Sequence, residues 1–407
     1  MTEKLDVKKT ILLSFGFFAS MILWSVYNAY VPVILRERFA ASGFFIGLIM
    51  SIDNFFGVIF QPLFGRLSDR TRTRFGRRIP FMLIGIPICA VLFSLIPHMT
   101  ALWSFMGVVI IFTFVMGVWR TPAVSLMPDL IPGPFRSQAN GIVNLTGGLG
   151  AVLAFAGGGI LFEMGGFPLP FLVSGIISLI AVTIVAVFIR EPEYPPVLSK
   201  VEEKKTAVKL DSKEKKSLIF ILSAIFFWFM GYNTVETFFS LYAIATLGVT
   251  AGQASILLAV IGAGVVLFAI PSGFIGAKIG RRKTIFIGLV GMTALFVPMM
   301  FVSNLWVVRG ILFFCGVFWA CININSLPMI VRISGPMKIG LFIGYYYLFS
   351  FSAQLITTPL YGLILDFVDN YQSLWVYAIV TFVLAGICLS LVRHGEEESK
   401  SPASSET

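Results

Sequence analysis

Long apolar runs dominate this chain and leave it little choice of architecture. Many extend for about 18 residues or more with few or no charges, the length of a helix that crosses a bilayer. In hydrocarbon, backbone N–H and C=O groups must be satisfied within the protein, so such runs are helices or strands of a closed barrel. Barrel strands alternate apolar and polar residues over about ten positions; these runs do not alternate. Twelve helices are expected, at roughly 11–35, 43–66, 80–97, 101–127, 137–163, 168–190, 217–246, 252–277, 283–303, 305–332, 337–364 and 371–393. Composition agrees: 12% of the residues are charged, against about 25% in a soluble domain. The first run contains Trp24, Tyr27, Asn28, Tyr30 and Pro32 and lacks a small-residue cleavage site, so it reads as a retained span rather than a signal peptide.

A net charge of +10 raises the question of nucleic acid, and its placement argues against it. With a cytoplasmic N-terminus the loops alternate sides. All of the 30 Lys and Arg then fall inside, except Arg36, Arg38, Arg309 and the intrahelical Arg120. This is the positive-inside pattern. A multi-pass protein of the plasma (inner) membrane is expected, with both termini cytoplasmic, the lipid bilayer as its surroundings and no nucleic acid as partner. Cys89, Cys315, Cys321 and Cys388 all lie in apolar runs and read as buried thiols.

The two ends of the chain repeat one another. Tyr27-Asn28 corresponds to Tyr232-Asn233, Gly65 to Gly273, Gly76-Arg77-Arg78 to Gly280-Arg281-Arg282, Ser125-Leu126 to Ser326-Leu327, and Pro134 to Pro336. Any one pair is weak; their common order and nearly constant separation are not. Two six-helix halves are expected, 1–190 and 217–393, with a cytoplasmic linker over 191–216 and a disordered cytoplasmic tail over 394–407.

The arginine-rich stretch GRLSDRTRTRFGRR (65–78) and its counterpart GFIGAKIGRRK (273–283) both fit G-x-x-x-(D/A)-(R/K)-…-G-R-R between two spans. This resembles the signature of the major facilitator superfamily. The resemblance implies an all-α integral membrane fold, twelve transmembrane helices in two pseudo-symmetric halves, and rocking of the halves about a central cavity. Gly65, Asp69, Arg70, Gly76, Arg77, Arg78, Asp129, Arg136, Gly273, Lys278 and Arg281 form the expected cytoplasmic gate. Gly65 omits a side chain where a neighbouring helix must come close. Asp69 ends helix 2, where the helix dipole disfavours an anion, so it needs a partner. The candidates are the start of helix 11, opened by Pro336, and Arg77 or Arg136. The alternative is an ordinary solvated loop, and the second half carries Ala277 in place of the acid.

A narrower resemblance rests on QPLFGRLSDRTRTRFGRRIPF (61–81) and RTPAVSLMPDLIPGPFRSQANGI (120–142). These look like the corresponding segments of sucrose/proton symporters and of glycoside–pentoside–hexuronide:cation symporters, with Pro122, Ala123, Asp129, Arg136 and Asn140 on matching positions. Two departures matter. Val124 stands where plant sucrose carriers have a functional arginine. Gly57 and Gln61 stand near the sodium-binding acids of melibiose-type carriers, so sodium coupling loses support and the exact sugar does not carry over.

Ionisable residues deep in a span are costly and point to function. Away from helix ends this chain has Asp53, Arg120 and Glu236. A desolvated carboxylate holds its proton more tightly and a nearby cation loosens it. A carboxylate that alternates between those surroundings can carry a proton. Asp53 and Glu236 are the candidate proton carriers; the alternative for Asp53 is a structural hydrogen bond between helices. Arg120 is a counter-ion or substrate anchor, or else a side chain snorkelling to the interface. His98 and His394 lie outside the spans. A sugar needs amide and hydroxyl partners and apolar ring faces. On the helices that line the cavity in the resembled fold, the candidates are Tyr27, Asn28, Tyr30, Trp119, Asn144, Tyr232, Asn233, Asn323, Asn325, Tyr346 and Gln354, with interhelical packing as the alternative for each. The repeat singles out Asn28 and Asn233. FAGGGI (155–160) lacks the Gly-Lys-Ser/Thr of a phosphate loop and reads as close helix packing.

The sequence therefore leads to a secondary active transporter, not an enzyme: a monomeric proton-coupled symporter of a neutral sugar, with no cofactor or metal expected. The alternatives are a proton-driven exporter of an apolar or cationic small molecule and a non-transporting membrane sensor or scaffold. A membrane enzyme lacks its motifs: neither H-E-x-x-H nor a nucleophile elbow is present.

Overall fold

A computed structural model of the chain describes residues 5–191, 212–334 and 339–392. Within them lie 12 helices long and apolar enough to cross a membrane. They are α1 (Val7–Phe39), α2 (Gly43–Arg70), α3 (Ile79–Leu95), α4 (Leu102–Leu130), α5 (Arg136–Gly165), α6 (Pro168–Phe188), α7 (Ser212–Leu247), α8 (Ala251–Ile279), α9 (Arg281–Met299), α10 (Leu305–Ser334), α11 (Ile339–Val368) and α12 (Ser373–Ser390). Each corresponds to one expected span. The difference is largest at α7, which begins inside the segment expected to be linker. Residues 192–211 of that segment, Pro336 and the tail 394–407 lie outside the described residues.

Local chemistry marks several helix starts. Asp6 accepts the Lys9 N–H ahead of α1, and Ser42 accepts the Phe45 N–H ahead of α2. Thr250 and Gln253 form a reciprocal capping box at α8. The first six helices pack through α1–α5, α1–α6, α3–α4, α3–α6 and α2–α4, and the last six through α7–α12, α7–α11, α8–α10, α9–α10 and α9–α12. Between the two sets, α2 lies along α11, α5 along α8, and α1 against α7.

Two of these cross-set contacts are built alike. Gly43 of α2 meets Gly362 of α11 so closely that a Cβ added to either would lie 2.6 Å and 2.0 Å, respectively, from the other's carbonyl oxygen. Gly159 of α5 and Gly252 of α8 meet in the same way, at 2.5 and 2.7 Å. The glycine run read from the sequence thus serves helix packing. An acid completes each crossing. Asp366, near the end of α11, accepts the backbone N–H groups of Gly43 (2.5 Å) and Phe44 (2.8 Å) in the first turn of α2. Glu163, near the end of α5, accepts the hydroxyl of Thr250, the residue that caps α8. A carboxylate at a helix N-terminus meets unsatisfied N–H groups and the positive end of the dipole.

Both clasps lie at the end of the bundle remote from the arginine-rich segment. Toward the arginine-rich end, here called the basic face, Asn140 and Asn144 of α5 and Asn323 of α10 are exposed although they sit within apolar helices. The two sets are closed at the opposite face and part toward the basic face.

Adding a methyl group at the α2–α11 crossing should pry this closure open, at an overpacking cost of about 1–3 kcal/mol. Thr358→Cys, beside Gly47 at the same crossing, provides the reporter. In the Gly362→Ala background its reaction with a membrane-impermeant maleimide from the opposite face should be at least about fivefold faster than in the parent.

Candidate functional site

The chemistry of the bundle centre begins with depth. Asp53 is about 15 Å along α2 from its start, and Glu236 lies a similar distance from the end of α7 at the same face. Both are half-buried, as is Arg120 of α4. Asn54, itself buried, donates through one amide nitrogen to both Asp53 carboxylate oxygens at 2.8 Å. Arg120 lies close enough to Asp53 to act on it electrostatically, yet the two side chains form no direct ion pair. Its guanidinium sits 5.9 Å from the Trp24 ring centroid, and Tyr347 of α11 lies within its electrostatic reach. Arg120 is therefore placed between the two helix sets rather than drawn out to the interface. Across the gap, Asn28 of α1 donates to Glu236 of α7 at 3.3 Å, a direct side-chain link between the halves of the repeat.

Around Glu236 the walls are aromatic. One turn away, the half-buried Tyr232 stacks on Trp319 of α10 with 3.8 Å between centroids and 2° between planes. Phe229 meets the edges of Trp319 and Tyr346. Asn323, one turn beyond Trp319 on the same face of α10, is exposed. Gln354 is half-buried on α11, and Tyr346 bonds Ser326 at 3.0 Å. These residues, with Asn144, border the gap.

Other residues selected from the sequence lie elsewhere. Trp119 is fully buried against Gly85 of α3 and donates its indole N–H to Cys89 Sγ at 3.3 Å. Tyr30 is buried among Phe162, Phe167 and Phe171, in the packing beside the α5–α8 clasp. Asn325 donates to the carbonyls of Ser272 (3.2 Å) and Cys321 (3.0 Å), fastening α10 to α8. Tyr27 is buried between Trp24 and Phe112, within the electrostatic reach of Asp53, and Asn233, the repeat partner of Asn28, is also buried. The interhelical alternative describes Trp119, Tyr30 and Asn325, each of which packs on or bonds to a neighbouring helix. Sequence reading missed Trp24, Asn54, Trp319 and Tyr347. Asn54 was signalled by its adjacency to Asp53, and Trp319 by its helical spacing to Asn323; nothing in the sequence singled out the other two.

At the basic face the expected gate resolves into an ionic knot. Arg78 donates to Asp129 at 2.8 Å and to Asp69 at 2.5 Å, and also reaches the Ser68 hydroxyl and the Gly65 carbonyl. Arg77 lies 2.7 Å from Asp129 and 3.9 Å from Asp69. Asp69 thus has its partners. Arg136 is not among them: it donates to the carbonyl of Ile131 in its own loop. Gly65 meets Thr121 at an ordinary 3.5 Å, so close helix approach does not explain that glycine here. Gly76 has φ +102°, and a Cβ there would fall 2.4 Å from Glu191. Glu191, just beyond α6, accepts the backbone N–H groups of Arg77, Arg78 and Ile79 at 2.6–3.0 Å. The knot thereby joins the ends of α2, α3, α4 and α6. In the second half, Arg70's side of the motif is represented by the exposed Lys278, a Cβ added at Gly273 would lie 3.8 Å from Ile324, as one at Gly65 would lie 3.5 Å from Thr121, and Arg281 opens α9.

Arg78→Gln strips Asp129 and Asp69 of their shared partner while Arg77 remains. A loss of about 2 kcal/mol is expected, below the range for a fully buried pair. It should register as a lower thermal midpoint in detergent, with Arg70→Gln as the unaffected control.

Comparison with known proteins follows this geometry. The family model described as Major Facilitator Superfamily matches residues 13–250 and again 239–407. A multidrug resistance protein, MdtG, of Salmonella schwarzengrund (strain CVM19633) is 24% identical over 310 residues, 74% of each chain. The class H tetracycline resistance protein of Pasteurella multocida is 25% identical over 60% of each. An uncharacterized symporter, sll1374, of Synechocystis sp. (strain ATCC 27184 / PCC 6803 / Kazusa) is 29% identical over 31% of this chain and 26% of its own. Among solved structures, a bacterial homologue of the human lysosomal transporter Spinster, inward-facing and occupied, superposes with a TM-score of 0.74 at 14% identity, covering 96% of this chain and 97% of that one. The nucleoside transporter NupG gives 0.69 at 13% identity, covering 95% and 100%. These structures share the twelve-helix fold. The chain is a transporter, and it belongs to the major facilitator superfamily.

Proposed function

We propose that this protein is a proton-coupled symporter that imports a neutral sugar, an oligosaccharide or glycoside, by alternating access. One observation carries the coupling: Asp53 and Glu236, one from each half, are half-buried at matching depth, each with an amide donor at its carboxylate. The Asn28–Glu236 bond spans α1 and α7, so it belongs to the form closed at the opposite face. Separation of α1 from α7 on opening would expose Glu236 to the other side without its amide partner. A proton taken up there and released after closure would couple the gradient to the cycle. Arg120 would compensate Asp53 when that carboxylate is charged.

The substrate reading rests on the sequence resemblance and on the wall around Glu236. Tyr232, backed by Trp319, offers a firm aromatic surface to the apolar face of a pyranose. Asn144, Asn323 and Gln354 offer amides to hydroxyl groups. In this reading the basic face is cytoplasmic, the termini lie on that side of the plasma membrane, and the halves 1–190 and 217–393 rock within one monomer.

Recording pH on sodium-free proteoliposomes tests this directly. Adding one sugar from a panel of mono-, di- and trisaccharides and glycosides should alkalinise the outside. Asp53→Asn combined with Glu236→Gln should abolish concentrative uptake while sparing sugar-for-sugar exchange; intact accumulation in that variant overturns the coupling assignment. Similarity to MdtG over 74% of the chain favours a second reading, a proton-driven exporter of apolar or cationic compounds. Silence across the sugar panel, together with saturable binding of a lipophilic cationic dye, would select it.

A further inference from the structure

Six arginines lie between Arg66 and Arg78, and the fold uses two of them to neutralise acids. Arg77 and Arg78 take both Asp69 and Asp129. Glu191, which reaches the same loop, is engaged by backbone N–H groups. Arg66, Arg70, Arg72 and Arg74 are exposed, and among the described residues none of them forms an ion pair. Arg72 donates to the carbonyls of Asp69 (2.7 Å) and Thr71 (2.8 Å), which orients it without cancelling its charge. Arg74 lies 4.8 Å over the ring of Phe75, which is 47% exposed. Leu63 and Leu67, on the last turns of α2 above them, are 54% and 48% exposed. Among the described residues, four cations without an ion pair therefore sit where an apolar helix leaves the bilayer, flanked by apolar side chains on its hydrocarbon side.

We infer that this band binds anionic phospholipid headgroups. Like charges so close repel unless a counter-charge is supplied. The position of the band, at the rim of a span, selects a counter-charge fixed in the membrane surface. Guanidinium forks match phosphate oxygens two at a time, while Leu63, Leu67 and Phe75 suit the glycerol and upper acyl region of the same molecule. A zwitterionic lipid offers the same phosphate but carries its own cation, so the band distinguishes the two by charge. Asp69 and Asp129 do not oppose the lipid, because Arg77 and Arg78 already neutralise them. The inference is independent of the transported substrate.

The test compares the full-length protein with a variant carrying Arg66→Gln, Arg70→Gln, Arg72→Gln and Arg74→Gln. Each is purified in mixed micelles of phosphatidylglycerol and phosphatidylcholine, and retained lipid is counted by native mass spectrometry. A basic residue at an anionic surface is worth about fivefold in partitioning. The parent should therefore prefer phosphatidylglycerol by at least about tenfold, and the variant should fall to near parity, with the four corresponding Arg→Lys changes retaining most of the preference. Raised salt should weaken retention by the parent. Unchanged phosphatidylglycerol retention in the glutamine variant overturns the inference. So does displacement of the lipid by equimolar soluble glycerol phosphate, which would make this a site for a free phosphate ester. If the fourfold variant does not purify folded, the pairs Arg66→Gln/Arg70→Gln and Arg72→Gln/Arg74→Gln carry the same comparison, each with a proportionate loss.

Discussion

The close crossing of α2 with α11, and of α5 with α8, is the contact on which the rest of this structure depends. Two helices approach to backbone distance only where side chains are missing, and Gly43, Gly362, Gly159 and Gly252 provide that. Approach alone would bring helix ends together with their N–H groups unsatisfied. Asp366 resolves this from the other half of the repeat by accepting two N–H groups of α2, and Glu163 acts on α8 through the hydroxyl of its capping residue Thr250. Each acid sits near the C-terminal end of its own helix, where its charge is disfavoured, and meets the N-terminal end of the partner helix, where it is favoured. The clasp is therefore more favourable closed than open for both helices, and it is used twice.

Closure at one face sets the conditions at the centre. With α1 held against α7, Asn28 reaches Glu236; with α2 held along α11, Tyr347 of the second half comes within the field of the Arg120 cation of the first. Neither contact is local in sequence. Polar groups at mid-membrane depth need partners, because lipid supplies none. Here they find them partly across the halves and partly on their own helix, as Asp53 does in Asn54. Other buried polar groups are satisfied within one set, as Asn325 is by the Ser272 carbonyl.

The basic face follows a different principle. There the Arg77–Arg78 knot and Glu191 tie the ends of four helices of the first half to one another, and the second half has Ala277 where the first has Asp69. Pseudo-symmetry in the backbone is accordingly not symmetry in the electrostatics. The first half is braced as a unit at its basic end; in the second, Arg282 donates to the Ser390 carbonyl.

The sequence by itself determined the number of spans, their helical nature, the internal repeat and the family. These follow from run length, backbone hydrogen-bond obligations and charge placement, which are properties of local chain. It also located Asp53, Arg120 and Glu236, because an ionisable residue in an apolar run is conspicuous without any neighbour being known. What it could not supply was facing. Trp119, Tyr30 and Asn325 share a residue class with Tyr232 and Asn323, yet rotation about their helices turns the first three into neighbouring helices and the others toward the gap. The hydrophobic pattern cannot give that rotation, since a membrane helix is apolar toward lipid and toward protein alike. Asp366, Glu163 and Glu191 were likewise unremarkable acids near span ends until the tertiary structure set each against the N-terminus of a helix distant in sequence. Only packing decided their partners: Glu163 accepts the Thr250 hydroxyl, while Asp366 and Glu191 accept backbone N–H groups, which every residue but proline carries and no sequence pattern marks.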